Sequence, residues 1–211
     1  MTDAEAVPLD LLDRATLRKR SRNVAFAALL VAAAMGGIVG LFAGPVGFAI
    51  TAAAVAVPLL LLAWSESRKT CWLSGTLVSV RAVGTRTVEL KDASRLDVIV
   101  TDTRGMRTVS LLVAGPPKGK AISIALAMYA GTGGRELGVY PLRRLADALA
   151  GTGYAHALVL SELVVAQLRA EARGDGAADR PLYRLASLAP QGRLAQRLHP
   201  DAVAKFVTAL G

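Results

Sequence analysis

Charged residues are missing from one long stretch of this 211-residue chain. From Asn23 to Ser65 there is no Asp, Glu, Lys, Arg or His, and only Gly44-Pro45 breaks the middle of the run. A helix needs roughly 20 apolar residues to cross a bilayer core about 30 Å thick. Unpaired backbone groups are not tolerated in lipid, so each half must be helical. The stretch therefore predicts a transmembrane hairpin, with helices at 23–43 and 46–64 joined by a tight turn.

Cysteine and histidine are also scarce, with one Cys and two His in the chain. The lone Cys71 excludes an internal disulfide and suits a reducing cytoplasm; we interpret it as a small apolar filler rather than a reactive thiol. His156 and His199 have no metal-ligand spacing to a Cys or a carboxylate. Ser161 lacks the G-x-S-x-G context of a nucleophile. No metal, cofactor or catalytic residue is predicted.

Aromatic residues make up only 5% of the chain, although its formal net charge is +9. No basic run interleaved with aromatic residues is present, so we do not predict a nucleic-acid partner. A basic cytoplasmic domain gains on the order of 1 kcal/mol for each Lys or Arg near an anionic leaflet. The excess charge therefore favours attraction to a membrane surface, and no small-molecule substrate is identified.

Basic residues flank the apolar run at both ends, whereas the central turn carries no charge. These are Arg14, Arg18, Lys19, Arg20 and Arg22 before the run and Arg68 and Lys69 after it. Cytoplasmic flanks of spanning helices are enriched in Lys and Arg. The sequence thus predicts a multi-pass protein of the cell membrane with both termini cytoplasmic. A cleaved signal peptide is the competing interpretation, but the apolar segment is too long and a second span follows at once.

A stripe of small residues recurs every four positions in the first helix. It consists of Ala28, Ala32, Gly36, Gly40 and Gly44. Small residues at this spacing let helices approach closely in lipid. We favour packing within the hairpin, against Ala49, Ala52, Ala53 and Ala56, over a homo-oligomer or a face for another membrane protein.

The pattern changes after the membrane segment, where apolar and polar residues alternate as in half-buried strands. We predict strands at Cys71–Arg81, Thr85–Leu90, Leu96–Thr101, Thr108–Val113 and Leu137–Tyr140, with a hairpin turn at Asp102–Gly105. Ala121–Met128 is compatible with a strand or a short helix. A helix begins at Pro141 and places Leu142, Leu145, Ala146 and Leu149 on one face. This order indicates a small curved sheet with one capping helix.

Several of these segments resemble a known family. Trp72–Leu77, Arg81 with Gly84–Arg86, the turn around Arg104-Gly105 and Leu142–Leu149 are similar to actinobacterial two-span membrane proteins with a bacterial pleckstrin-homology-like (PH-like) domain. The resemblance covers roughly residues 23–150. It implies a non-enzymatic, membrane-tethered sheet domain whose partners are proteins or lipids, and it supplies no catalytic residues.

The two ends of the chain are less patterned. His156–Ala172 predicts a helix that is apolar nearly all round and thus buried, and Asp201 is a candidate cap for a last helix at Ala202–Leu210. Residues 182–198 are ambiguous. Val7–Arg20 is compatible with an amphipathic interfacial helix or with a disordered arm.

Together these patterns predict an α+β membrane protein. We expect a basic N-terminal cytoplasmic arm at 1–22, the transmembrane hairpin at 23–64, a PH-like cytoplasmic antiparallel β domain with a capping helix at 70–150 and a helical C-terminal extension at 151–211. The function that we expect is a membrane-anchored interaction or scaffold module, with the lipid bilayer and a membrane protein or second copy as partners. A sensor of anionic lipid headgroups and a membrane enzyme assembled from distant residues remain as alternatives.

Overall fold

The computed structural model has an α+β architecture, with one long apolar helical segment near the N-terminus and two antiparallel sheets. It describes residues 5–11, 14–82, 84–116, 120–131, 133–190, 192 and 194–210. The chain divides into two compact units. The sheet unit contains Met1–Leu11, Thr70–Val80 and Thr85–Gly211, and the helical unit contains Leu12–Lys69 and Arg81–Gly84.

The helical unit consists mainly of α1, Arg14–Ser67. Gly44 interrupts it with φ 70° and ψ −170°, so that α1 is two helices across a kink. Pro45 follows the break directly, where its fixed φ and missing N–H fit the first turn of a new helix. Of the described residues, Ser21–Ser65 is the helical stretch long and apolar enough to cross a membrane, judged by length and composition.

The sheet unit contains two antiparallel sheets. The first has the order β1 (Val7–Pro8), β2 (Thr70–Ser74), β3 (Leu77–Arg81) and β4 (Thr85–Glu89). The second contains β5 (Arg95–Thr103), β6 (Met106–Gly115), β7 (Lys120–Ala130), β8 (Gly133–Glu136) and β9 (Gln196–Arg197), in the order β8-β7-β6-β5-β9. The predicted hairpin between β5 and β6 is confirmed. Arg104 and Gly105 both have positive φ, as the favoured two-residue hairpin turn requires.

Helices follow β8 along the chain, with β9 between the last two of them. They are α2 (Val139–Ala150), α3 (Ala155–Arg173), a 3-10 turn (Ala177–Asp179), α4 (Pro181–Ser187) and α5 (Pro200–Thr208). The predicted apolar face of α2 is confirmed, because Leu142, Leu145, Ala146 and Leu149 are all buried. The predicted helix at His156–Ala172 is confirmed as α3, which packs on α2 and ends at the left-handed Gly174. It is not buried all round, since Leu158 is exposed.

Two strand predictions were wrong. Cys71–Arg81 is not one strand, because Gly75 has φ 62° and turns the chain between β2 and β3. Leu137–Tyr140 is not a strand, since β8 ends at Glu136 and α2 begins at Val139. The helix starts before Pro141 because a proline in the first turn loses no intrahelical hydrogen bond. The open choice at Ala121–Met128 is decided in favour of a strand, β7, which pairs with β6.

The helix predicted over Val7–Arg20 was wrong for its first residues, whereas Arg14–Arg20 is helical as the start of α1. Val7 and Pro8 pair with Leu73 and Trp72 as an edge strand, and the Leu9 N–H donates to the Cys71 carbonyl oxygen at 2.9 Å. Leu9 is buried in the same core as the sheets. An amphipathic helix therefore does not begin at Val7. Residues 12 and 13 lie outside the described part of the chain.

Asp201 does not cap the last helix. His199 occupies the N-cap position of α5 without a side-chain cap, and Asp201 lies in the first turn. A carboxylate there still interacts favourably with the positive end of the helix dipole.

The kink at Gly44 gives a first testable prediction. A Cβ at Gly44 or at Gly37 would meet nothing within 4 Å, but only Gly44 has a positive φ. Gly44→Ala should therefore lower the free energy of unfolding by about 1–2 kcal/mol through backbone strain. Gly37→Ala, the matched control, should be neutral or stabilising by up to about 1 kcal/mol. Unfolding of the full chain in detergent micelles, followed by circular dichroism, compares them. Equal stability of the two variants would show that the kink does not depend on glycine.

Candidate functional site

The predicted stripe of small residues lies between the two halves of α1. Ala28 and Ala32 are only 5% and 2% exposed. A Cβ added to Gly36 would lie 3.0 Å from the Cβ of Ala52. A Cβ added to Gly40 would lie 3.0 Å from the Cβ of Phe48. The stripe thus lets the two halves approach closely.

Gly44 has a different position from the rest of the stripe, because it lies at the kink with open space around it. On the opposite half, Ala52 and Ala56 are half-buried, whereas Ala49 and Ala53 are exposed. Phe48, which contacts both Gly36 and Gly40, was missed. The spacing of small residues gives no signal for a large side chain that packs over them.

The two halves also meet at the end remote from Gly44. The Ser21 hydroxyl donates to the Ala63 carbonyl oxygen at 3.1 Å. Lys19, Arg22, Arg68 and Lys69 therefore all lie at this end, and all four are exposed. The side chains of Arg18 and Arg20, also predicted to meet headgroups, lie outside the described ones. We call the four described residues the cationic end of α1.

Trp64 connects this charge to the apolar surface. The Arg68 Cζ lies 4.1 Å from the centroid of the Trp64 ring, a distance at which the ring quadrupole attracts the guanidinium. Trp64 is itself half exposed. Tryptophan prefers the depth at which an apolar phase meets water, so this end of α1 has the chemistry of a membrane interface.

Large apolar side chains cover the outside of α1. Phe42 is 89% exposed and Leu41 is 85% exposed. Further exposed residues of this kind are Val24, Phe26, Leu29, Leu30, Val31, Ile38, Ile50, Leu61 and Leu62. Contiguous apolar surface of this extent marks a contact with a membrane or with another protein.

The sheet unit contains a groove with a volume of about 1110 Å³. It runs between the β5–β6 turn, the end of β7 and the segment that follows α4. Its walls include Asp102, Thr103, Arg104, Gly105, Arg107, Tyr129, Gly131, Tyr183, Ala186, Ser187, Leu188, Ala189, Pro190, Gly192 and Leu194. Leu188 and Leu194 are 56% and 79% exposed. The groove thus combines guanidinium groups, tyrosine rings and accessible leucines.

Polar contacts of Arg107 connect the opposite walls of this groove. Its Nη1 donates to the Ala186 carbonyl oxygen at 3.1 Å, and its Nε lies 3.6 Å from Asp102 Oδ2. The Tyr183 hydroxyl donates to the Gly131 carbonyl oxygen at 3.3 Å. These contacts tie α4 to the ends of β6 and β7, so the groove is part of the fold rather than a gap between loose loops.

A partly buried polar cluster adjoins the groove through Tyr129, one of its wall residues. The Tyr129 hydroxyl donates to Glu136 Oε1 at 2.6 Å, and Arg180 Nη1 lies 2.5 Å from Glu136 Oε2. Burial, followed by the hydrogen bond to Glu136, raises the pKa of Tyr129 far above its usual value. The Glu136 hydrogen bond also raises the pKa of Arg180. Tyr129 is therefore a neutral phenol, and its ring meets that of Tyr183 edge-on at 5.1 Å between centroids.

The residues considered for chemistry from the sequence have structural surroundings. Cys71 is buried. The Ser161 hydroxyl donates to the Ala146 carbonyl oxygen at 2.9 Å. His156 Nε2 lies 2.7 Å from the Leu96 carbonyl oxygen, whereas His199 is exposed beside Asp201. Within the part of the chain that the structure describes, no three His, Cys, Asp or Glu side chains gather as for a metal ion.

No local motif in the sequence indicates the groove, because its walls come from three separated parts of the sequence. The most visible signal is Arg104-Gly105, which predicts the turn but not what lies opposite it. No family model, curated protein or solved structure matches this chain. The resemblance to two-span membrane proteins therefore stays a prediction from the residues.

The polar cluster gives a second prediction. Arg180→Gln leaves the largely buried Glu136 without its cation, so it should lower the free energy of unfolding by about 2 kcal/mol. Arg173→Gln is the control, since Arg173 makes its ion pair with Asp175 at the surface and exposed pairs add little. Thermal unfolding of the full chain in detergent micelles measures both. Equal losses would contradict a structural role for the cluster.

Proposed function

We propose that this protein is a non-enzymatic, membrane-anchored interaction module. In this proposal α1 forms a two-span transmembrane hairpin, both termini are cytoplasmic, and the sheet unit is a PH-like cytoplasmic domain. The groove of the sheet unit receives a segment of a membrane protein partner or of a second copy of the chain.

The observation that carries the proposal is the exposed apolar surface of α1, with Phe42 and Leu41 as its extremes. Leaving one Leu or Phe side chain in water instead of an apolar phase costs about 1.5–3 kcal/mol. Many such side chains are exposed here. The summed cost of leaving them in water is therefore far larger than the free energy of unfolding of a typical domain. Lipid removes this cost along the entire segment.

Three features favour two spans over one. The second half, Pro45–Ser67, is about 35 Å long at 1.5 Å per residue, which is close to the thickness of a bilayer core. The kink at Gly44 and the contact of Ser21 with Ala63 bring the ends of both halves together. The cations gathered at that end suit the cytoplasmic face.

The sheet unit supports the interaction half of the proposal. Antiparallel sheets followed by α2 agree with the domain that the resemblance implies. The groove exceeds the 300–1,000 Å³ of most small-molecule pockets, so it is large enough for several residues of a peptide. Its accessible leucines and tyrosine rings suit apolar side chains, and Arg104 suits an acidic one.

The topology gives a third prediction, tested by labelling single cysteine variants with an impermeant maleimide. Val46, just after the kink, is exposed and should lie at the outer face. Val46→Cys should therefore be labelled in intact cells. Lys69→Cys should be labelled only after the membrane is opened. The buried Cys71 serves as the background in the unchanged chain.

Other labelling patterns would contradict the proposed topology. A single span would place residue 46 inside the bilayer, so that Val46→Cys stays unlabelled in both conditions. Labelling of Lys69→Cys in intact cells would show that the orientation is the reverse of the proposed one. Release of the unchanged chain from membranes by alkaline carbonate would contradict membrane spanning altogether.

The groove gives a fourth prediction, tested with a photo-crosslinking amino acid in cells. At Leu194, in the groove wall, it should give one discrete crosslinked product. At Tyr154, exposed but outside the groove, it should give none. The product's mass separates a second copy from another protein. Absence of a product at Leu194, or equal products at both positions, would contradict an interaction through the groove.

A further inference from the structure

We propose that the cationic end of α1 binds one anionic phospholipid. An acyl chain lies in the cleft between the two halves, and Arg68 contacts the phosphate. This inference rests on the proposed membrane anchoring, and it adds the lipid class and the residues that recognise it.

The cleft has the character that an acyl chain requires. Its volume is about 550 Å³. It is lined by Ser21, Ala25, Val57, Leu60, Leu61, Ala63 and Trp64. The one hydroxyl in this wall, that of Ser21, is already engaged by the Ala63 carbonyl oxygen. The accessible surface of the cleft wall is therefore almost entirely apolar.

The cleft exists because the facing side chains are small at this level of the helix pair. Ala25 and Ala63 have the smallest side chains in the cleft wall. Nearer the kink, Phe48 fills the corresponding space over Gly36 and Gly40. Side chains that line an unfilled gap have no neighbouring atoms on one side, so a flexible acyl chain that occupies the gap supplies the missing van der Waals attraction.

Trp64 joins this cleft to a phosphate-binding group. Its ring lines the cleft, and the Arg68 Cζ lies 4.1 Å from the ring centroid. The stacked guanidinium is held in one place, which reduces the entropy lost on binding. Its planar fork matches two phosphate oxygens at once. Arg22 is exposed at the same end of α1 and adds to the positive charge there.

The charge around the cleft selects an anionic lipid. The stretch 12–69 has seven basic residues against two acidic ones, Asp13 and Glu66, and the cations Lys19, Arg22, Arg68 and Lys69 are exposed at this end of α1. Lys19 adds a further cation at a smaller cleft of about 410 Å³, which it lines with Thr16, Asn23, Val24 and Ala27. A zwitterionic headgroup would bring its own ammonium group into this field, so it should bind more weakly.

Native mass spectrometry of the purified full chain tests the proposal. The chain in mild detergent is titrated with phosphatidylglycerol and, separately, with phosphatidylcholine of the same acyl chains. Phosphatidylglycerol should bind more tightly, with one site saturating first. Arg68→Gln should weaken this site about fivefold, the effect of one cation near a headgroup. Lys69→Gln removes the same charge at the same end but has no stacking contact with Trp64 in the structure, so its effect should be much smaller.

A second pair of variants tests the cleft without changing charge. Ala25→Leu puts additional side-chain volume into the cleft and should weaken the binding of both lipids. Ala33→Leu, at an exposed position of the same helix, should leave binding unchanged.

Two results would overturn the inference. Equal losses in Arg68→Gln and Lys69→Gln would show general attraction to the charged end rather than a site. Equal affinity for the two lipids would contradict the proposed preference for an anionic headgroup. Alkaline carbonate extraction of the membranes, done before detergent is added, separates this failure from that of membrane anchoring. A chain that resists extraction but binds both lipids equally is anchored without a selective site.

Discussion

The apolar surface of α1 is the constraint on which the other features depend. It is too large to be left in water and too long to be covered by the short elements of an ordinary core. In the proposed membrane-spanning arrangement, hydrophobic attraction would not hold its two halves together, because lipid tails are as apolar as Leu. The halves must then associate through close packing. This is the physical reason for Gly36 opposite Ala52, where even a methyl group on the glycine would be tight.

The same constraint limits which residues can form the kink. A chain reversal at the edge of a bilayer has few residues in which to satisfy its backbone groups. Gly44 adopts a conformation that L side chains rarely reach, and Pro45 provides the φ of a first helical turn. A single two-residue sequence therefore ends one helix and begins the next. Under the proposed topology, the cationic residues at the opposite end favour the cytoplasmic side for that end.

Patterns in the sequence predicted the features that are set by residues close together along the chain. The charge-free run, the buried face of α2 and the hairpin at Arg104-Gly105 all depend on residues close in sequence. The pairing of Val7 with Leu73 could not be predicted in this way, because a two-residue edge strand has no periodicity and its partner is more than sixty positions away. The groove was missed for the same reason, since Arg107 and Ala186 meet only after the sheet and α4 are assembled. The turn at Gly75 was a different error, in which alternation on both sides of a glycine was taken for one strand.

The proposed membrane anchor would lower the affinity that the groove needs for a partner in the same membrane. Confining two partners to one membrane makes their encounter partly intramolecular, with effective concentrations that reach the millimolar range for short flexible connections. Even a weak contact is then well occupied. The groove fits this requirement, because Arg107 is already engaged by Asp102 and Ala186 and would offer little new energy to a ligand. Recognition would depend instead on Arg104 and on the accessible leucines, whose modest contributions are sufficient only when the membrane holds the partner nearby. The chemistry of the groove thus agrees with a module that acts at the bilayer rather than with a high-affinity receptor in solution.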